Sequence, residues 1–296
     1  MTDSNAKPAS RTVEIRPITT SDVAKVAEFL HEELNERIPS SVWAAAIKPP
    51  WQQISPNHGY MLVSSNHVLG VYLAFYSQRC VDGSVEKFCN LAAWCVLEEQ
   101  RSQGLRLLRA ILSQDGYTFT DLSPSGNVVP LNARLNFQHL DTATALVPNW
   151  PWPTGWLTQT RIVSDPALIE SHLRGRDCDI YRDHARAAAA HHLVILGENQ
   201  SCYVMFRRDR RKNLPLFASI LHVGNPELFR NAGRHLYSYL LMHFGIVATL
   251  VEKRVVRDFP RFAILLRSPR PKMFRSSRLG PEQVDYLYSE LTCVPW

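Results

Sequence analysis

The turn from Arg101 to Arg106 has the residue types of a phosphate-binding site. It reads RSQGLR, follows an apolar run and precedes an amphipathic stretch that ends at Leu112. A strand that enters a helix through a short turn leaves backbone N–H groups unpaired at the helix start, where the helix dipole favours an anion. Gly104 lacks a Cβ atom, so a ligand could approach the backbone there closely. The turn therefore predicts a diphosphate site, and an ordinary strand-to-helix connection is the alternative.

The composition is that of a globular protein with a basic surface. The 296 residues are 45% hydrophobic and 20% charged, with a net charge of +6. This balance suits anionic ligands without selecting among cofactors, acidic surfaces and nucleic acid. The six cysteines show no C-x-x-C spacing and no histidine pair completes a zinc pattern, so we expect reduced thiols and no metal. The polar N terminus and the lack of a long apolar run predict a cytoplasmic protein without a membrane span.

Sequence periodicity predicts an α/β unit around the turn. Apolar residues recur at helical spacing from Ser21 to Asn35, and β-branched and aromatic runs predict strands. The predicted strands span residues 60–64, 68–78, 87–97, 117–122 and 137–147, and predicted helices span 105–112 and 128–135. The strand at 87–97 leads directly into the turn, so the predicted phosphate site lies at its carboxyl end.

A proline-rich segment divides the chain near its middle. Residues 148–155 read PNWPWPTG, which excludes regular structure and predicts a linker. Residues 1–10 are a predicted disordered tail, residues 11–147 a first domain and residues 156–296 a second. The second half repeats the order of predicted elements but not the residue identities. Its corresponding turn carries Glu227, whose charge would repel a phosphate, so the first half is the predicted cofactor-binding half.

Two segments of the first half resemble the GNAT superfamily of acyl-CoA-dependent N-acetyltransferases. The family turn is R/Q-x-x-G-x-G/A between a strand and a helix. Arg101 and Gly104 match it, and Arg106 replaces the final small residue. The segment NVVPLNARLNF, residues 127–137, resembles the family region in which an asparagine contacts the cofactor and a short helix ends in a Leu-Gly-Phe-like triplet. Here Asn136 stands in place of the glycine, and asparagine can adopt the same left-handed conformation.

The resemblance covers about Val13 to Val147 and implies an α/β (α+β) fold. It predicts two GNAT-like domains, each a mixed, mostly antiparallel sheet flanked by helices. Residues 11–147 would bind acyl-CoA, and residues 156–296 would be a degenerate second copy that shapes the acceptor site. Tandem domains of this kind are similar to those of mycothiol synthases and N-myristoyltransferases.

The resemblance also implies a set of cofactor contacts. Backbone donors of the turn would bind the diphosphate, and a backbone N–H near Val96 would stabilise the thioester oxygen. The implied cofactor-binding residues are Val96, Arg101, Ser102, Gln103, Gly104, Leu105, Arg106 and Asn127. Relatives often have a tyrosine general acid at the position of Asn132, so the usual acid is missing here.

Two carboxylates are candidates for the general base. Glu86 precedes the central strand, near where some relatives place a basic carboxylate, and a solvated turn residue is the alternative. Asp121 lies at a strand end beside the predicted cleft. A base in either place could remove a proton from an attacking amine.

The sequence thus predicts an acyltransferase that moves an acetyl or other short acyl group from acyl-CoA to an amine or hydroxyl by direct transfer. Acetyl-CoA or another acyl-CoA is the expected co-substrate, without a metal. We expect a small-molecule or metabolite acceptor, no nucleic acid and no membrane, and a homodimer is an open alternative. The alternative function is a catalytically inactive GNAT-fold module that engages a protein or nucleic-acid partner. Asn132 and Arg106 motivate that alternative, and the basic run from Arg207 to Lys212, predicted as a solvated hairpin tip, would serve it.

Overall fold

Two seven-stranded sheets organise the chain, in a computed structural model that describes residues 12–51, 55–152, 160–211 and 214–296. The first sheet has the order β1-β2-β3-β4-β5-β14-β6. Its strands are β1 (Glu14–Pro17), β2 (Gly59–Ser64), β3 (His67–Val81), β4 (Ser84–Val96), β5 (Tyr117–Asp121), β6 (Gln138–His139) and β14 (Met273–Arg275). The predicted tail, residues 1–10, lies outside the described residues.

The second sheet has the order β8-β9-β10-β11-β12-β7-β13. Its strands are β7 (Thr144–Pro148), β8 (Arg161–Val163), β9 (His191–Leu196), β10 (Ser201–Arg211), β11 (Leu214–Val223), β12 (Ala248–Glu252) and β13 (Ile264–Leu265). One pair in each sheet is parallel, β4 with β5 and β11 with β12, and the other pairs are antiparallel. The predicted fold class, two mixed and mostly antiparallel sheets, is confirmed.

The two sheets exchange one strand across the proline-rich segment. Strand β14, from late in the chain, lies between β5 and β6, whereas β7, from before the segment, lies between β12 and β13. The predicted strand at 137–147 is therefore divided, with β6 in one sheet and β7 in the other. The division at residues 148–155 stays a prediction as a domain boundary, and part of that segment lies outside the described residues.

Helices cover both faces of each sheet. They are α1 (Val23–Glu33), α2 (Ser40–Ile47), α3 (Gly104–Leu112), α4 (Val128–Arg134), α5 (Pro166–His172), α6 (Gly175–His184), α7 (Pro226–Asn231), α8 (Gly233–Phe244), α9 (Lys253–Val256) and α10 (Glu290–Cys293). Within the described ranges, each helix is too short or too polar to cross a bilayer. Helix α3 shows the packing rule, because Leu107, Leu108 and Ile111 recur on one face and bury it against the first sheet.

A separate apolar cluster joins the two halves. Leu122 and Leu140 of the first half pack with Leu221 and Leu291 of the second, around Phe274 and Tyr286, which are almost fully buried. Phe274 lies on β14, so the exchanged strand also supplies part of this shared core. The cluster fixes the two sheets against each other and thereby the walls of the space between them.

We predict that neither predicted domain folds alone. A chain of residues 1–147 lacks β14, so β5 and β6 lose the strand that pairs with both of them. It also lacks Met273, so the apolar side chains that pack against Met273 in the first sheet would be exposed to water. A chain of residues 156–296 lacks β7 in the same way. Each fragment, expressed separately, should show no cooperative thermal transition by circular dichroism, and co-expression of the two should restore one. A cooperative transition in either isolated fragment would show that the exchanged strand is dispensable.

Candidate active site

A cleft of about 910 Å³ lies where β4 and β5 separate. Their parallel pairing ends at Leu91 and Asp121, because β5 stops there while β4 continues to Val96 beside β3. The edge of β4 from Ala92 to Val96 thus has no strand partner on the β5 side and faces the cleft. An unpaired strand edge offers backbone donors and acceptors to a ligand.

The second sheet supplies the opposite wall in the same manner. Pairing of β11 with β12 ends at Ser219 and Leu250. Ile220, Leu221 and Glu252, at the ends of these strands, line the cleft that β4 and β5 open. The diverging strands of both sheets therefore meet at one site, as expected if the second half shapes the site of the first.

A β-bulge shapes the cleft wall at Ala93. Val71 pairs with Cys95 and Leu73 with Ala92, so Tyr72 alone faces the two residues Ala93 and Trp94. Ala93 has a left-handed backbone conformation, with φ of 51°. The rings of Tyr72 and Trp94 stack with centroids 4.7 Å apart, and both line the cleft. A strained conformation of this kind, on a cleft wall, is typical of functional sites.

Half of the predicted cofactor residues line this cleft. Val96, Arg101, Gly104 and Asn127 do so. Ser102, Gln103, Leu105 and Arg106 are not among its lining residues. Asn136, as anticipated, takes the left-handed conformation, with φ of 62°.

The predicted turn is itself folded as a 3₁₀-helix, Glu98–Gln103, that runs directly into α3. Its hydrogen bonds use some of the expected phosphate donors, since the Gly104 N–H donates to the Arg101 carbonyl. The Arg106 guanidinium donates to the Gln103 side chain at 2.7 Å. Arg101 is exposed and, in the part of the chain that the structure describes, its ion-pair partner is the exposed Glu98 at 3.3 Å, so its charge is available to an anion.

The equivalent place in the second half is closed. A Cβ atom on Gly224 would lie 2.0 Å from an Asp177 carboxylate oxygen, so that carboxylate occupies the space beside the turn. The N–H of Leu228 at the start of α7 is capped by the Asn225 side chain at 3.1 Å, and Glu227 lies in the same turn. Two carboxylates and a capped helix start do not suit a phosphate, in agreement with the sequence prediction.

Asp121 is a buried carboxylate on the cleft wall. It is 5% exposed and accepts a hydrogen bond from the Asn132 side chain at 2.8 Å. Burial raises the pKa of Asp121 to about 7, the Asn132 bond lowers it, and the nearby Glu290 carboxyl raises it. Asn132 is fully buried, so the residue at the usual tyrosine position holds Asp121 instead of entering the cleft.

The other predicted base, Glu86, is remote from the cleft. It lies five positions before Leu91, about 16 Å along an extended strand. Its side chain is buried and pairs with Arg278 at 2.7 Å, so it is not the solvated turn residue of the alternative interpretation. The structure does not bring Glu86 together with the cofactor candidates.

Three cleft residues escaped the sequence analysis, Tyr72, Arg207 and Asp209. Burial raises the pKa of the Tyr72 hydroxyl well above its usual value, and Tyr72 lines the cleft. Arg207 and Asp209 belong to the basic run, but β10 continues through that run and both side chains are buried on the cleft wall. The hairpin-tip prediction is therefore wrong for these two residues. Alternation along a strand, which places residues 207 and 209 on one face, was the available signal.

The cleft thiol does not suit nucleophilic catalysis. Cys95 lines the cleft, and burial raises its pKa to about 11, so it is protonated at neutral pH. Among the described residues, no three His, Cys, Asp or Glu side chains are grouped so that they could hold a metal ion. The titratable group that the geometry offers for proton transfer in the cleft is Asp121.

Solved structures with a similar fold were found, although a scan against protein-family models and a search of curated proteins gave no match. A GCN5-related N-acetyltransferase of Anabaena variabilis matches with a TM-score of 0.55 and 13% identity, over 89% of this chain and 72% of that one. A GCN5-related N-acetyltransferase of Kribbella flavida matches with a TM-score of 0.54 and 12% identity, over 91% and 72%.

A further solved structure matches over nearly the whole chain. The N-myristoyltransferase of Saccharomyces cerevisiae, solved with bound myristoyl-CoA, has a TM-score of 0.51 and 10% identity, over 99% of this chain and 87% of that one. At such identities the likeness concerns the fold. The chain therefore has the GNAT-like fold that the resemblance predicts, with two sheets that each combine strands from both halves of the chain.

Proposed function

We propose that this protein is an acyltransferase that moves an acetyl or other short acyl group from acyl-CoA to an amine or hydroxyl of a small acceptor. One observation carries the proposal. The cleft where β4 and β5 separate brings four predicted cofactor residues, Val96, Arg101, Gly104 and Asn127, together with the buried carboxylate of Asp121. A cofactor-binding wall and a proton acceptor in one cleft are what direct acyl transfer requires.

Acyl-CoA would lie along the wall formed by β4 and the start of α3. The Arg101 guanidinium is the exposed cation of this wall, and the start of α3 adds the positive end of its dipole. Gly104 packs against Trp94 and Val96, which a Cβ atom on it would meet at 3.5 Å and 3.6 Å, and it lines the same cleft. Because the 3₁₀-helix uses the Gly104 N–H, we infer that the first contact with the diphosphate is the Arg101 side chain.

Bound acyl-CoA would supply a thioester carbonyl that an amine can attack. Asp121 would accept the proton that the amine loses, and a pKa of about 7 suits that role near neutral pH. The Tyr72 hydroxyl stays protonated and would donate a hydrogen bond to charge that develops in the cleft. The N–H of Val96, on the unpaired edge of β4, remains the proposed donor to the thioester oxygen.

Binding of coenzyme A tests the proposed cofactor wall. Calorimetry should detect coenzyme A binding to the wild-type protein. Arg101→Gln should weaken it about 10-fold, because one charge-assisted phosphate contact is lost. Arg109→Gln, at the exposed far end of α3, is the matched control and should bind as the wild type does. Gly104→Glu should abolish binding, since it places a negative charge where the diphosphate would lie.

Thermal unfolding of the same variants separates binding from folding. A Cβ atom at Gly104 would meet Trp94 at 3.5 Å, an ordinary contact, so Gly104→Ala is expected to fold normally. It serves as the control that adds a side chain at this position without adding a negative charge. Undiminished binding in folded Gly104→Glu would show that the turn is not the site. Absence of heat from the wild type at high micromolar coenzyme A would reject the proposed function.

The pH dependence of turnover tests Asp121 as the general base. With acetyl-CoA and an accepted amine, kcat/KM should rise with pH through about 7, because the deprotonated carboxylate is the active form. Asp121→Asn should lower kcat by about 100-fold or more without weakening coenzyme A binding. Asp115→Asn, on the exposed turn before β5, is the control and should keep both kcat and the pH profile.

The same experiment addresses the alternative function. If the wild type binds coenzyme A but releases no thiol with any of a panel of amines, the non-catalytic binding module would be favoured. A flat pH profile between pH 5 and about 9, with Asp121→Asn as active as the wild type, would remove Asp121 from the mechanism while leaving acyl transfer intact.

The pH dependence of stability tests whether Asn132 positions the Asp121 carboxyl. The pKa of Asp121 is higher in the folded than in the unfolded chain, so this group stabilises the fold below about pH 4 and that contribution is lost as pH rises through about 7. Asn132→Ala removes a hydrogen bond to the carboxylate and should extend this loss to higher pH. Urea unfolding from pH 4 to about 9 measures it.

Asp121→Asn provides the reference for that measurement. It removes the titrating group, so its stability should depend less on pH than that of the wild type. An unchanged pH dependence in Asn132→Ala would mean that the 2.8 Å contact does not control the carboxylate.

A further inference from the structure

The guanidinium of Arg207 is a buried cation at the cleft that forms no ion pair among the residues that the structure describes. Arg207 is 3% exposed and lies on the cleft wall. Its Nη1 donates to the Leu291 carbonyl at 3.3 Å, while Nε and Nη2 have no hydrogen-bond partner among the described residues. Arginine keeps its charge at any ordinary pH, so this group is a cation with two free donors.

The neighbouring cations are already neutralised. Arg270 pairs with Asp209 at 3.4 Å, and Asp209 also accepts a hydrogen bond from the Ser219 hydroxyl at 3.1 Å. Lys272 pairs with Glu252, whose other oxygen accepts a hydrogen bond from the Tyr286 hydroxyl at 2.6 Å. All four charged side chains line the cleft, and each has an oppositely charged partner.

The carboxyls of Asp209 and Glu290 lie near enough to Arg207 to act on it electrostatically, but neither forms an ion pair with it within 4.0 Å among the described residues. Glu290 is fully buried; its Oε1 accepts a hydrogen bond from the Ser123 hydroxyl at 2.7 Å, while its Oε2 has no hydrogen-bond partner in the described part of the chain. A buried charge without a counter-ion destabilises a fold, so its presence on a cleft wall indicates a ligand that completes it.

We propose that the cleft binds an acceptor with a carboxylate group, which Arg207 holds through its planar fork of donors. This inference rests on the proposed function and names the class of its acceptor: an amine that also carries a carboxylate, such as an amino acid. A guanidinium fork matches the two oxygens of a carboxylate. The apolar side chains of Ile220, Leu221 and Leu250 line the same wall and suit an aliphatic or aromatic body between the two polar ends.

The two ends of such an acceptor have complementary partners. Asp121 and Arg207 both border the cleft, and the Glu290 carboxyl lies near enough to each to act on it electrostatically. The carboxylate at Arg207 would therefore orient the amine toward Asp121. The proton of the neutral amine passes to the Asp121 carboxylate as the nitrogen–carbon bond forms. The carbon–sulfur bond then breaks, coenzyme A leaves as its thiolate, and the proton taken up by Asp121 is returned to the sulfur, which gives the free thiol.

Binding tests the anion site without requiring turnover. The probes are phenylacetate and its uncharged analogue phenylacetamide, which differ in the carboxylate alone. Calorimetry on the full chain should show phenylacetate binding at least about 10-fold more tightly. Arg207→Met, which keeps an unbranched apolar stem but lacks the guanidinium, should remove this preference. Arg207→Lys keeps the charge but loses the fork and should retain only part of it.

The neighbouring residue gives a matched control. Arg208 is exposed on the opposite face of β10, where it donates to the Phe244 carbonyl at 3.1 Å. Arg208→Met should leave the preference for phenylacetate unchanged. Thermal unfolding adds a separate readout, because removing an uncompensated buried charge should leave the ligand-free Arg207→Met protein at least as stable as the wild type. A purely structural arginine would instead give a lower Tm.

Turnover tests the orientation of the acceptor. With acetyl-CoA, α-amino acids should be acylated with kcat/KM at least about 10-fold above that of the matching amino-acid amides, and Arg207→Met should abolish this difference. No turnover with any amine, together with Arg207-dependent phenylacetate binding, would reject the proposed function and leave the carboxylate site standing. Equal binding of phenylacetate and phenylacetamide, or tighter Arg207-dependent binding of phenyl phosphate, would overturn the carboxylate assignment.

Discussion

The separation of two parallel strands is the constraint on which this structure depends. Strand β5 ends at Asp121 while β4 continues to Val96, so the hydrogen-bonded ladder opens inside the protein. Buried backbone groups must find partners, and an opened ladder therefore marks a place where a ligand can complete the pairing. The bulge at Ala93 turns the continuing strand at that point and brings Tyr72 and Trp94 to the wall.

The exchange of strands holds the parallel pairs β4–β5 and β11–β12 apart at the cleft. Because β14 pairs with β5 and β7 pairs with β12, each sheet is anchored to the other half of the chain next to its opening. The shared apolar cluster around Phe274 then fixes the distance between the two openings. The two sheets thus form the walls of one cleft, while in the second half the Asp177 carboxylate fills the space beside the turn at Gly224.

Charge distribution explains which cleft residues are available for chemistry. Arg270 and Lys272 have carboxylate partners, so they maintain the fold of the wall. Asp121 and Arg207 differ, since one is a carboxylate held by a neutral amide and the other is a cation with unused donors. Buried groups left in this state are stable only because the surrounding structure holds them, and function is the usual reason for retaining them.

The sequence by itself determined the local features. Hydrophobic periodicity located most strands and helices of the first half to within a few residues, although the strand predicted at 137–147 is divided in the structure. The R-x-x-G turn and the LNF triplet indicated the fold, and Asn136 took its expected conformation. These features depend on neighbours in the chain, which is why a pattern can reveal them. Tertiary structure decided what depends on distant segments. The pairing of β14 with β5 joins residues more than a hundred positions apart. Arg207, which the sequence predicts at the surface, is buried on the cleft wall. Glu86 and Asp121 were equal candidates in sequence, and only the point where two strands part placed Asp121 in the cleft.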